Sequence, residues 1–234
     1  MSRLESETRF KPSEYKVING LDAEIIKEAL GSKIKLWHEQ VRPTVIVLTA
    51  TSSVLSGLVL KHAWKNLYSG EHQPKFLLID PRRIEGYVGH NPDQAPQKKK
   101  SPMPSKDVLK NDDTVLVFDE FTTASEHSLN KYNPASDNEP KHKARPRQGV
   151  AGLYLAADYV FKQGVKNVWT DSVSHDVSET LYAISKTEHP ILLRSKEQES
   201  ERSHDWERYV HGRSEYDVNL ISDLKTIAEE ISKP

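Results

Sequence analysis

The sequence predicts an α/β domain of three layers around a mostly parallel five-stranded sheet, and two observations lead there. Short apolar runs recur at 44–48, 76–79 and 115–118, and each ends in polar residues, the mark of strands buried on both faces. Between and around them, apolar residues recur three and four apart, the helical period. Strands and helices therefore alternate, as a parallel sheet requires.

Taken in order, residues 1–20 carry charges and a proline without periodicity and read as an arm lying on the body. Asp22 is placed to cap a helix with Ile25, Ile26, Ala29 and Leu30 on one face, and Gly31 to end it. A second helical stretch over 32–42 then buries Ile34, Leu36 and Trp37. The first strand, 44–48, leads through Thr49, Ala50, Thr51, Ser52 and Ser53 into a helix over 54–68, with His62 a half-buried histidine among apolar neighbours. The next strand, 75–79, ends on Asp80. Residues 81–111 hold several prolines and the run Lys98, Lys99, Lys100, which predicts a long loop. The third strand runs through 115–118 into Asp119 and Glu120. A second loop is expected over 126–148, before a helix from about Val150 to Gly164. The alternation resumes with a strand at 166–170, a helix over 176–186, a final strand at 190–193 and a helix over 217–232 that packs on the body or on a partner subunit. The expected divisions are 1–40 as arm and helices, 41–195 as the α/β core, and 196–234 as a charged segment and helix.

The chemistry concentrates at two strand ends. Asp119 and Glu120 leave an apolar strand and meet Phe121, Thr122, Thr123, Ala124 and Ser125, whose backbone N–H groups and hydroxyls suit an anion, while the two acids suit sugar hydroxyls. The same residues also serve plain architecture, the acids ending a strand and Thr122 or Thr123 capping a helix. The loop 49–53 repeats the pattern, with a helix N-terminus behind it that favours an anion.

At these residues the chain resembles the type I phosphoribosyltransferases, over roughly residues 40–195. The phosphoribosyl-diphosphate loop of that family has four apolar residues, two acids, two variable positions, then Thr or Ser and Gly. Val115, Leu116, Val117 and Phe118 match the apolar run, and Asp119 and Glu120 the acids. Thr123 and Ala124 fall where the family has its Asp or Thr followed by Thr, Ser125 where it has glycine, and His127 where it has a last Thr. If that glycine adopts positive φ, a Ser in its place costs about 1–2 kcal/mol, which would reshape the loop or weaken its hold on phosphate.

The resemblance implies displacement of pyrophosphate from phosphoribosyl diphosphate by a nitrogen nucleophile such as a nucleobase. Asp119 and Glu120 would orient the ribose hydroxyls and stabilise positive charge on the ring, residues 121–125 would hold the 5-phosphate, and Thr49, Ala50, Thr51, Ser52 and Ser53 would receive the pyrophosphate. Mg²⁺ would bridge that pyrophosphate. The long loop would close over the reaction, bringing Arg82 and Arg83 to its oxygens. Two further readings stand beside the enzyme: a protein of the same kind that binds phosphoribosyl diphosphate or a nucleotide without turnover, and an RNA-associated protein using the basic loops. A homodimer is compatible with all three.

Composition narrows the field. The 234 residues carry a net charge of −1 and no cysteine, which removes a disulfide framework, a thiol nucleophile and any global pull toward nucleic acid or membrane. The charged N-terminus is unlike a signal peptide, so a cytoplasmic setting is expected. Neither GxxxxGK[ST], GxGxxG nor GxSxG occurs, against P-loop, dinucleotide and common hydrolase chemistry. His175 with Asp176 and His204 with Asp205 lack the further ligands that a metal site needs.

Overall fold

The structure is a computed structural model that describes residues 15–49, 53–81, 84, 108–120, 129–134, 148–173, 177, 180–181 and 215–233. Its strands are β1 (Val45–Thr49), β2 (Lys75–Ile79), β3 (Thr114–Asp119), β4 (Asn130–Lys131) and β5 (Asn167–Ser172). The helices are α1 (Gly20–Gln40), α2 (Val54–Leu67), α3 (Gln148–Lys162) and α4 (Glu215–Ile231), with Val177, Thr180 and Leu181 also helical. One five-stranded sheet has the order β2-β1-β3-β5-β4. All its pairings are parallel except the antiparallel one between β4 and β5.

The apolar runs are uncharged because both sheet faces are covered. Ile46, Leu48, Leu116 and Phe118 pack against α1, α2 and α4, whereas Val45, Val47, Val115 and Val117 pack against α3. Helices above and below the sheet give the three expected layers. Trp37 belongs to the first layer, fully buried with its ring edge against Phe118 at a centroid distance of 5.3 Å.

Three expectations need correction. Gly31 does not end a helix: α1 runs through it, because a Cβ there would stand 3.3 Å from Ile231 Cγ2, and the bare backbone lets α4 come close. The stop comes at Arg42, which adopts φ 50 and donates its N–H to Trp37 O at 2.8 Å just before Pro43. The cap is Asn19 rather than Asp22: Asn19 Oδ1 accepts the Asp22 N–H at 2.9 Å, and Asn19 Nδ2 donates back to Asp22 Oδ2 at 2.6 Å.

The second expected loop, 126–148, contains a strand. Asn130 and Lys131 are exposed and show no apolar pattern; what pins them is Tyr132, buried against Phe161, its N–H on Val168 O at 2.8 Å and its hydroxyl on Asp158 Oδ1 at 3.2 Å. The first expected loop is anchored at its far end in the same way, by buried Val108 and Leu109. The strand expected at 190–193 lies outside the described residues.

Side chains of α4 hold the end of the arm, Glu230 Oε2 accepting the Tyr15 hydroxyl at 2.7 Å. Asp223 on α4 accepts the backbone N–H groups of Lys16, Val17 and Ile18 at 2.7–3.0 Å. With Leu220, Leu224, Ile227 and Ala228 buried, α4 packs on the body.

Candidate functional site at the ends of β1 and β3

In a doubly wound sheet the ligand crevice forms where consecutive crossovers leave in opposite directions. Here β2 lies on one side of β1 and β3 on the other, so that point falls between β1 and β3. The register pairs Leu48 with Phe118, which sets the two polar strand ends suggested by the sequence side by side.

Hydroxyls fasten them together. Thr49 and Ser53 are buried, with their side-chain oxygens 3.1 Å apart. Ser53 precedes α2 but makes no side-chain cap bond to it. Its Oγ instead reaches across the strands, accepting the Glu120 N–H at 3.2 Å and lying 3.5 Å from Phe118 O.

The two acids part company. Successive residues on a strand point to opposite faces, and Asp119 turns toward α3, where a Cβ on Gly152 would come 3.3 Å from its Oδ2 and 3.6 Å from Pro81 Cγ. Glu120 turns toward α2 and meets Ser56 Oγ at 2.7 Å. Both acids are only 4% exposed. Burial pushes the Glu120 carboxyl up to about 8; hydrogen bonds from the Ser56 hydroxyl and the Ser56 backbone N–H act against this, and the neighbouring Asp119 charge adds to it. The balance favours the neutral form of Glu120.

A buried ion pair lies one strand over, on the same face as Phe118. Asp171, paired in register with Phe118, accepts Lys33 Nζ and Trp37 Nε1, each at 2.6 Å, and the Ser172 N–H at 2.8 Å.

Of the residues singled out in the sequence, Thr49, Ser53, Asp119 and Glu120 come together. Ala50, Thr51, Ser52, Arg82, Arg83, Phe121, Thr122, Thr123, Ala124 and Ser125 lie outside the described residues, as do Lys98, Lys99, Lys100, His175, Asp176, His204 and Asp205. Sequence reasoning missed Ser56 and Gly152. A serine one turn after Ser53 and a glycine in an apolar helix, where it costs about 1 kcal/mol against Ala, were the available signals.

Among the described residues no three His, Cys, Asp or Glu side chains gather in a group able to hold a metal ion. No helix among them is long and apolar enough to cross a membrane. No protein-family model, curated protein or solved structure matches the chain.

Proposed function

We propose that this chain is a phosphoribosyltransferase-like protein that binds phosphoribosyl diphosphate or a nucleotide at the crevice between β1 and β3. The observation that carries the reading is the juxtaposition of two polar strand ends at the switch point of the sheet, one bearing Thr49 and Ser53 and the other the acidic pair. Their sequences match, in type and order, the loops that receive pyrophosphate and ribose phosphate in the family that the chain resembles. Transfer would join a nitrogen nucleophile to the anomeric carbon as the bond to pyrophosphate breaks. Asp119 is the group suited to a ribose hydroxyl and to positive charge on the ring.

One observation favours the alternative of binding without turnover. Two ionised acids would serve an oxocarbenium-like transition state, and Glu120 is buried and bonded to Ser56, where burial disfavours its ionised form. The test is thermal stabilisation by phosphoribosyl diphosphate, ribose 5-phosphate and nucleotides, with and without Mg²⁺, followed by assay of pyrophosphate release with nucleobases. A ligand at a hundred times its Kd adds about 2.7 kcal/mol of stability. Stabilisation with pyrophosphate release supports the transferase, and stabilisation alone supports the binding protein. Failure of all these ligands at millimolar concentration overturns both.

A further inference from the structure

We infer that Glu120 works as a neutral hydrogen-bond donor which, through Ser56, clamps the turn between β1 and α2 onto the end of β3, making Ser56 a positioning residue for that turn. The inference deepens the proposed site, and its effect on ligand rests on that reading. The clamp itself does not.

Counting hydrogens leads to it. The Ser56 hydroxyl has one hydrogen, yet its oxygen lies 2.7 Å from Glu120 Oε2 and 3.2 Å from Ser53 O. With an ionised Glu120 the hydrogen can serve only one of these acceptors well. With a protonated Glu120 both contacts are made: the acid donates to Ser56 Oγ, and Ser56 donates to Ser53 O, which also takes the Gly57 N–H at 2.9 Å. The backbone of Glu120 holds the same turn from its other side, its N–H on Ser53 Oγ at 3.2 Å. One residue thus grips Ser53 at its side chain and, through Ser56, at its carbonyl.

Burial and the Asp119 charge favour the proton and outweigh the Ser56 hydroxyl and backbone N–H, which favour the carboxylate. Glu120 is 4% exposed, and the first turn of α2 contains no acid that would compete for the hydroxyl. Asp119 on the same strand is the charge that acts on it. Among the described residues, the other buried acids at this end of the sheet are Asp80, after β2 on the far side of β1, and Asp171 on β5, which Lys33 holds. Raising the pH through about 8 puts a second negative charge beside Asp119 and draws the Ser56 hydrogen away from Ser53 O, loosening the turn offered to an anionic ligand.

Carbon NMR of the glutamate carboxyls, with Glu120 assigned by its absence from Glu120→Gln, reads the clamp without ligand. A titration midpoint near 8 is expected, and a midpoint near the ordinary 4.5 overturns the inference. Ribose 5-phosphate then serves as the probe of function. Parent affinity should fall as pH rises through the midpoint, whereas in Glu120→Gln, whose amide can still donate to Ser56, that fall should be absent up to pH 9.5. Loss of affinity in Glu120→Gln at pH 7 would make Glu120 a charged acceptor for the ligand and sink the inference. If ribose 5-phosphate binds at no pH, the proposed function loses its support, and the NMR midpoint still decides the clamp.

Discussion

Lys33 Nζ lies 2.6 Å from Asp171 Oδ1, tying the middle of α1 to the carboxyl end of β5 through a pair with side-chain exposures of 15% and 0%. Burial raises the Asp171 pKa, and Lys33 and Trp37 only partly offset it. Removing one partner of a buried pair costs about 3–5 kcal/mol; the partial exposure of Lys33 places Lys33→Ala near the lower figure. Without Lys33 the Asp171 pKa rises further, so the cost should grow with pH and recede in acid, where Asp171 carries its proton. Urea denaturation of parent and variant at several pH values checks this. A cost independent of pH would mean that Lys33 acts through the packing of its methylenes.

Asp223→Ala should free the end of the N-terminal arm. Three consecutive backbone N–H groups lose a charged acceptor worth about 1.5–3 kcal/mol for each bond, shared rather than additive, so a loss of at least about 2 kcal/mol is expected. Hydrogen exchange gives the specific readout. Protection at Lys16, Val17 and Ile18 should collapse while the β1 and β3 amides keep theirs.

Two glycines should respond oppositely to alanine. Gly164 sits at φ +100, and a Cβ there would stand 2.6 Å from Asn111 Oδ1, so Gly164→Ala should cost about 1–2 kcal/mol or more. At Gly31 the helix gains about 1 kcal/mol from Ala, against a 3.3 Å approach to Ile231 at the last turn of α4, which must give by a few tenths of an ångström. Gly31→Ala should therefore fall within about 1 kcal/mol of the parent. Gly31→Leu should destabilise strongly, and thermal melts distinguish the cases.

These glycines also mark what the sequence could show. Gly164 was legible because a helical period stops just before it. Gly31 has the same chemistry, but its reason is Ile231, 200 positions away, which local pattern cannot reveal. The buried strands were legible from their uncharged runs. β4 was not, since two exposed residues held by Tyr132 leave no period to read. At the site, strand-end polarity pointed to Thr49, Ser53, Asp119 and Glu120, whereas the turning of the two acids to opposite faces depends on which helices lie there. Ser56, inside an apolar helix, was not singled out by that polarity and is fully buried.

Glu120 should leave a signature in stability against pH. Its folded pKa is raised from 4.5 to about 8, so the folded state keeps the proton longer than the unfolded chain. The stability it contributes is full below about pH 4.5, is lost as pH rises toward 8, and changes little above that; its size is of the order of a few kcal/mol. Glu120→Gln lacks this slope. The difference in melting temperature between parent and variant should therefore shift steadily in favour of the variant from pH 5 to 8. A flat difference over that window would mean that Glu120 is already ionised.

Asp119 carries the charged half of the proposed site, and two variants separate its chemistry from its placement. Asp119→Asn keeps the shape and removes the charge. If Asp119 accepts a hydrogen bond from a ribose hydroxyl, a bond to a charged acceptor is worth about 1.5–3 kcal/mol, so ribose 5-phosphate should bind roughly ten- to a hundredfold more weakly. Gly152→Ala leaves Asp119 in place chemically but sets a methyl 3.3 Å from its Oδ2 and 3.6 Å from Pro81 Cγ, so the carboxylate must shift by a few tenths of an ångström. Alanine also favours α3 by about 1 kcal/mol, which offsets the crowding. The expected pattern is weakened binding in both variants with melting temperatures close to that of the parent. Unchanged binding with a large loss of stability in Asp119→Asn would make the carboxylate a brace between β3 and α3, and the phosphoribosyl reading would lose its charged acceptor.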